Sequence, residues 1–207
     1  MNRPRIVLAS HNPAKVVELR RILAESGLEV ELVSVDAFPQ LPQVAETGAT
    51  FGQNALLKAH AVAAATALPA VADDSGLCVD ALGGMPGVLS ARWAGRHGDD
   101  SANLELVLSQ ISDVPDDLRT AAFCCAAALV LPDGFEQVGQ GRWPGRLVRA
   151  PRGTNGFGYD PIFVPDGQTL TSAQLSAEAK DADSHRARAL RALVPQIFAL
   201  IQAGRLA

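Results

Sequence analysis

The stretch A-V-A-D-D-S-G at residues 70–76 closes an apolar run with two adjacent carboxylates, a serine and a glycine. Asp73, Asp74 and Ser75 are residue types that take up protons or attack phosphorus and carbonyl centres. A strand that stops in a turn reads the same way, because Asp, Ser and Gly hydrogen-bond locally or accept positive φ. Upstream, S-H-N-P-A-K at residues 10–15 stands where a strand feeds a helix. Free backbone N–H groups and the helix dipole make an anion site at such a place. Lys15 adds a cation in the first turn, unfavourable by a few tenths of a kcal/mol unless an anion lies nearby. The pattern points to phosphate; the alternative is an ordinary capped helix with a surface lysine.

Three more stretches carry polar groups in suggestive company. In A-E-T-G-A-T-F-G-Q, residues 45–53, Thr50 and Gln53 have the spacing of a capping box, which accounts for Gln53. Glu46 has no such account and lies in a loop, either turned to a site or solvated. G-T-N-G-F-G-Y-D-P, residues 153–161, combines close backbone approach with Phe157, Gly158, Tyr159 and Asp160. An aromatic face and a carboxylate are parts for gripping a base, although the same aromatics can plug a core. Lys180, His185 and Arg186 fall around a helix start with Ser184 as its expected cap. They can donate to a keto oxygen or a phosphate, or form a solvated helix end. The chain has only three lysines, Lys15, Lys58 and Lys180, among 18 basic residues, a weak sign that each marks a place wanting a compact charge.

These residues need elements to hold them. Residues 5–10 read as a strand, followed by a helix with Asn12 as cap, Pro13 at its first position and Gly27 past its end. A strand over 30–35, a Pro-rich connection to about 48 and an Ala-rich helix from Phe51 to Thr66 come next. G-L-C-V-D-A-L-G-G-M-P-G, from 76, reads as another short strand and a Gly-rich loop. Asp100 or Ser101 should cap a helix presenting Leu104, Val107, Leu108 and Ile111 on one face. A long strand at 120–131, a P-D-G turn and an antiparallel partner follow. The final helix runs from about Ser184 to Ala203, with a kink expected at Pro195. Alternating strands and helices with a late hairpin predict an α/β fold: a mixed twisted central sheet flanked by helices. No linker divides the 207 residues, so a single domain is expected over 1–207.

Composition narrows the partners. With 48% hydrophobic and 19% charged residues the chain is an ordinary globular sequence, and its net charge of −4 draws neither nucleic acid nor anionic membrane. The longest apolar run, 121–131, is too short to span a bilayer, and the N-terminus lacks a signal-peptide pattern, so a cytoplasmic protein is expected. Cys78, Cys124 and Cys125 form neither a disulfide framework nor a C-x-x-C pair; adjacent Cys124 and Cys125 should face opposite sides of a strand. Walker, H-E-x-x-H, zinc and G-x-S-x-G patterns are all missing.

Taken in order, S-H-N-P-A-K, A-E-T-G-A-T-F-x-x-N-A-L-L-K-A, A-D-D-S-G-L-x-V-D-A-L-G-G-x-P-G, S-A-R, G-T-N-G-F-G-Y-D-P-I-F and S-H-R resemble the inosine triphosphate pyrophosphatase (Ham1-like) family, from the first strand to the last helix. The resemblance implies two lobes with a cleft between them and a likeness to homodimers. It also implies Mg²⁺-dependent hydrolysis of ITP, dITP and XTP to the monophosphate and pyrophosphate, which keeps irregular purines out of nucleic acid. It makes Asp74 the proton acceptor and, with Glu46, a metal-linked carboxylate. Ser10, His11, Asn12, Pro13, Ala14, Lys15, Ser75 and Lys180 would meet the triphosphate or its surroundings. Phe157, Gly158, Tyr159, Asp160, His185 and Arg186 would surround the base.

One departure stands out: Gln53 occupies a position where the family commonly has Glu, with Asp73 the obvious substitute if that group helps hold metal. Adjacent strand residues face opposite ways, so Asp73 and Asp74 should do different jobs, Asp74 activating water and Asp73 bracing the turn or the metal shell. Selectivity would follow from donation to O6 by His185 or Arg186 and acceptance from N1–H by Asp160. Adenine reverses both groups, and a buried site left unpaired discriminates by about 10⁴ to 10⁵. Competing readings are a non-catalytic nucleotide sensor, a serine hydrolase using Ser75 and His185, and a pyrophosphatase for other bases.

Overall fold

The structure is a computed structural model and describes residues 3–41 and 44–206. Its strands are β1 (Arg5–Leu8), β2 (Glu31–Ser34), β3 (Ala70–Val79), β4 (Thr120–Val130), β5 (Glu136–Leu147) and β6 (Phe163–Pro165). Its helices are α1 (Pro13–Glu25), α2 (Phe51–Thr66), α3 (Asp100–Gln110), α4 (Ala177–Asp183) and α5 (His185–Gln202). The strands form one mixed sheet in the order β2-β1-β3-β4-β5-β6. β1 runs parallel to β2 and β3, and β5 antiparallel to β6. The fold class read from the sequence is the one found.

The chain forms two compact units, 1–74 with 125–141 and 186–207, and 75–124 with 142–185. It passes from one to the other at 74/75, 124/125, 141/142 and 185/186, so neither unit is a continuous segment.

In the first unit, period-2 alternation builds two cores. Ile6, Leu8 and Val71 turn to one face, where Leu19, Ile22 and Leu23 of α1 and Leu190, Leu193 and Ile197 of α5 cover them. Val7, Ala70 and Ala72 turn to the other face, against Ala55, Ala59, Val62 and Ala63 of α2. That second core is mostly alanine, and small side chains let a helix backbone lie close to a sheet. In the second unit Leu77, Val79, Phe123, Trp143, Ile162 and Phe163 pack with Leu104 and Val107 of α3 and with Ile111 just beyond it.

Local signals set the helix ends. Asn12 caps α1, accepting from the N–H groups of Ala14 and Lys15, with Pro13 first in the helix and Gly27 at φ +71° beyond it. Thr50 and Gln53 form the expected capping box on α2. The cap of α3 is Asp99, whose carboxylate accepts from Ala102 N–H, rather than Asp100 or Ser101. Asp100 instead accepts from Gly158 N–H at 2.8 Å. Pro195 lies inside α5. Of the Pro-rich connection, residues 42 and 43 lie outside the described residues.

The largest departure is at A-D-D-S-G. No turn interrupts it: β3 runs unbroken from Ala70 to Val79, merging the two short strands expected there. Gly76 explains itself by space, since a Cβ there would lie 2.4 Å from both Gly87 O and Ser90 Oγ. Ser90 Oγ in turn accepts from Leu77 N–H at 2.9 Å. Gly76→Ala is therefore expected to lower unfolding stability by about 1–3 kcal/mol, read from the urea midpoint; an unchanged midpoint would contradict this packing.

Candidate active site

An unbroken β3 sends its two aspartates to opposite faces of the first unit. Asp73 follows Val71 to the side covered by α1 and α5, and Asp74 follows Ala72 to the side covered by α2.

Asp73 meets Lys15 Nζ at 3.1 Å and Arg186 Nε at 3.0 Å, both on Oδ2. Arg186 also bonds Glu18 through Nη1, completing two cations and two anions in a largely buried row. Burial alone would raise the Asp73 carboxyl, but Lys15, Arg186 and Lys58 hold it well below the usual carboxylate range. Asp73 Oδ1 and Glu18 Oε1 accept no hydrogen bond among the described residues, so ion pairing carries most of their compensation. The anion that offsets Lys15 in the first turn of α1 is thus Asp73. Glu18 was not read from the sequence; its place three residues after Lys15, on the inner face of α1, was the available sign.

On the other face, Asp74 Oδ2 accepts from Asn54 Nδ2 at 3.1 Å, and Asp74 Oδ1 lies 3.3 Å from Lys58 Nζ. Glu46 Oε1 reaches the same ammonium at 2.9 Å. Asn54 Oδ1 accepts from Gly48 N–H at 2.7 Å, tying the Glu46 loop to α2. Burial raises the Asp74 carboxyl, and the Glu46 charge adds to that rise against the opposing pull of Lys58. Burial would lower the Lys58 ammonium, but Asp74, Asp73 and Glu46 outweigh it and raise it. Asn54 and Lys58 stand four apart on one face of α2, a spacing that could have singled them out beside Glu46.

Two expectations about the metal shell change. Gln53 is occupied with the capping box, accepting from Ala49 and Thr50 N–H at 2.8 and 3.2 Å. Asp73 neither braces a turn nor stands in for a missing Glu, because it faces α1 and α5 and is held by Lys15 and Arg186. The S-H-N-P-A-K stretch also differs from the open anion site expected. Pro13 has no N–H, Asn12 Oδ1 takes those of Ala14 and Lys15, and Asn12 O takes that of Val16. Ser10 Oγ accepts from Asn12 N–H, and His11 Nδ1 lies 3.0 Å from Asp36. Side chains at this corner, above all Lys15, are what an anion would meet.

The second unit holds the base-gripping candidates. Tyr159 is buried and donates its hydroxyl to Ser90 O. Asp160 is 2% exposed and its carboxylate is full: Oδ1 accepts from Ser172 Oγ at 2.7 Å, and Oδ2 from Phe157 N–H at 2.9 Å and Lys180 Nζ at 2.5 Å. Gly156, at φ +76°, is required here, because a Cβ would fall 2.0 Å from Asp160 Oδ2. Lys180 Nζ also lies 5.5 Å from the Phe157 ring centre. So Asp160 and Lys180 shape the loop from within, rather than offering a free acceptor to N1–H. Ser75 is half-buried within β3.

His185 and Arg186 diverge despite their adjacency. His185 stacks on Phe123 at 4.9 Å, while Arg186, 1% exposed, is spent on Asp73 and Glu18. Arg186 as found braces the first unit instead of donating to a base. All three lysines, in contrast, mark built sites, each paired with a carboxylate on the candidate list or beside one.

Arg186→Met should cost about 3–5 kcal/mol in urea unfolding, because it strips two buried carboxylates of a shared cation. In a Glu18→Gln background the same change should cost less, as one of those charges is gone. A loss below about 1 kcal/mol in the single variant would show that Arg186 does not hold this row together.

The chain is similar to known proteins along nearly its whole length. Residues 6–196 match the model of the Ham1 family. The chain is 61% identical over 197 residues to a dITP/XTP pyrophosphatase of Streptomyces coelicolor, covering 95% of this chain and 98% of that one. It is 58% identical over 201 residues to the dITP/XTP pyrophosphatase of Nocardia farcinica, covering 97% and 98%. Among solved structures, a dITP/XTP pyrophosphatase from Mycobacterium abscessus superposes with a TM-score of 0.75 at 60% identity, over 92% of this chain and 99% of that one. A HAM1 protein from Coxiella burnetii superposes with a TM-score of 0.85 at 40% identity, over 94% and 98%. With a continuous match of sequence, fold and motif order, this chain belongs to the Ham1 family.

Proposed function

We propose that this enzyme hydrolyses ITP, dITP and XTP between the α- and β-phosphates, releasing the monophosphate and pyrophosphate, and uses Mg²⁺. The observation that carries the reading is the convergence of Asp74 and Glu46 on one lysine, with Asp74 raised by burial and by the second carboxylate. High identity to proteins named dITP/XTP pyrophosphatase supports the substrate class.

The donor set suits Mg²⁺. Asp74 and Glu46 bring carboxylate oxygens to one place beside Lys58, and Mg²⁺ takes one or two carboxylates while keeping waters and phosphate oxygens. Among the described residues no cluster of three or more His, Cys, Asp or Glu is placed to hold a metal. Asp74 and Glu46 are the residues assigned to hold it. When bound it would neutralise charge on the phosphates.

The chain's own groups divide the remaining work. Asp74 accepts the proton of the attacking water, its orientation fixed by Asn54 and its charge moderated by Lys58. Lys15, anchored on Asp73, offers its ammonium to phosphate oxygens, and Ser10, His11, Asn12, Pro13 and Ala14 are assigned to the surroundings of the triphosphate. Ser75 and Lys180 are assigned to the triphosphate surroundings. The loop of Phe157, Gly158 and Tyr159, held in shape by Asp160, is assigned to the base together with His185. Residues 1–207 are read as one catalytic domain. Likeness to the family is the ground for reading it as a homodimer at work in the cytoplasm, with nucleotides rather than nucleic acid or membrane as partners; no described helix is long and apolar enough to cross a membrane.

Pyrophosphate release from dITP, XTP, dGTP and dATP, with Mg²⁺ and with a chelator, tests the reading. Metal-dependent turnover of dITP and XTP, at least about 100-fold above dATP, is expected. Equal rates on all four would overturn the base selectivity, and tight dITP binding without turnover would make the chain a sensor. Glu46→Gln should raise the Mg²⁺ concentration for half-maximal rate by roughly 10-fold or more; an unchanged requirement would remove Glu46 from the metal.

A further inference from the structure

The outward face of the second unit's sheet carries a group of side chains that the proposed reaction does not use. On β3, Leu77 and Val79 point into the core, which turns Cys78 the other way, and Asp80 follows at the strand's end. On β4, Ala121 and Phe123 point inward and Cys124 outward; on β5, Trp143 is buried and Arg142 exposed. β4 lies between β3 and β5. Thr120 Oγ1 donates to Asp80 Oδ2 at 2.7 Å, and the Cys78 and Cys124 thiols lie close enough to shift one another's acidity. As β3 advances from 78 to 80, its contacts on β4 retreat from 124 to 120, so these stretches run antiparallel. Both thiols are half-buried, whereas Cys125, on the opposite face of β4, is buried.

We propose that Cys78 and Cys124 are an oxidisable pair, which a hydroperoxide closes into a disulfide across β3 and β4. Both thiols lie on the same face of neighbouring strands, the arrangement from which a cross-strand disulfide forms. The two sulfurs are chemically unlike. The neighbouring Cys78 thiol lowers Cys124 most; burial and Asp80 oppose, Arg142 assists, and the thiol comes to about 7. Cys78 is held up as the neutral partner by Cys124 and then by burial. The Cys124 thiolate attacks one peroxide oxygen, the O–O bond breaks, and hydroxide leaves to take up a proton as water. Cys78 sulfur then attacks the sulfenic sulfur, the S–O bond breaks, and the departing hydroxide takes the Cys78 proton as a second water. Two thiols are oxidised and one hydroperoxide is reduced.

The test uses the full native chain treated with hydrogen peroxide, alkylated and mapped without reductant. The expected product has lost two hydrogen masses, carries a Cys78–Cys124 link, keeps Cys125 reduced and reverts with dithiothreitol. In Cys78→Ala, peroxide should leave Cys124 as a sulfenic acid trapped by dimedone. In Cys124→Ala, Cys78 should stay reduced at the same dose. Iodoacetamide labelling of Cys124 in the untreated chain should rise with pH through about 7. Three free thiols after treatment, a link involving Cys125, or undiminished Cys78 oxidation in Cys124→Ala would each overturn the proposal.

Discussion

Extended backbone turns consecutive side chains to opposite faces, and at Asp73–Asp74 that constraint gives two adjacent carboxylates different surroundings. One carboxylate goes to the side where α1 and α5 cover the sheet, the other to the alanine-lined side under α2. Their different partners, and the opposite directions in which those partners move their acidity, follow from this one geometric fact.

The two environments differ in charge balance. On the first face two cations meet two anions, so Asp73 stays ionised despite its burial and links helices to strand. On the second face Asp74 and Glu46 meet at Lys58, and the second carboxylate raises Asp74 against the pull of that lysine. A buried pair is weak evidence of net stabilisation, but removing one member is costly, which makes the first face rigid rather than merely stable. Rigidity there supports Lys15 and fixes the strand from which Asp74 projects. In the second unit Asp160 plays a comparable internal part, its oxygens spent on shaping the loop that carries Phe157 and Gly158.

Much of this was legible in residue order. Asn12 and Pro13, and the Thr50–Gln53 box, marked helix starts because caps are local interactions completed within a few residues. The A-D-D-S-G strand was not legible, since its turn-like residues are satisfied by Lys15, Arg186, Asn54 and Lys58, all distant in sequence. Tertiary partners overrode local preference. The same reason hid the roles of Arg186 and Asp160, whose polar groups looked available until their internal partners were placed. Each of the three lysines pairs with a carboxylate, and those partners too are set by the fold rather than by residue order.

The central claim is that adjacent aspartates divide support from catalysis. Urea unfolding and dITP turnover, measured side by side for Asp73→Asn and Asp74→Asn, address it most directly. The account predicts that Asp73→Asn loses several kcal/mol of stability, about 3 or more. Asp74→Asn should stay within about 1 kcal/mol of the native chain while turnover falls by about 10²- to 10⁴-fold. Equal losses of stability and turnover in both variants would contradict it, because the two carboxylates would then be doing one job.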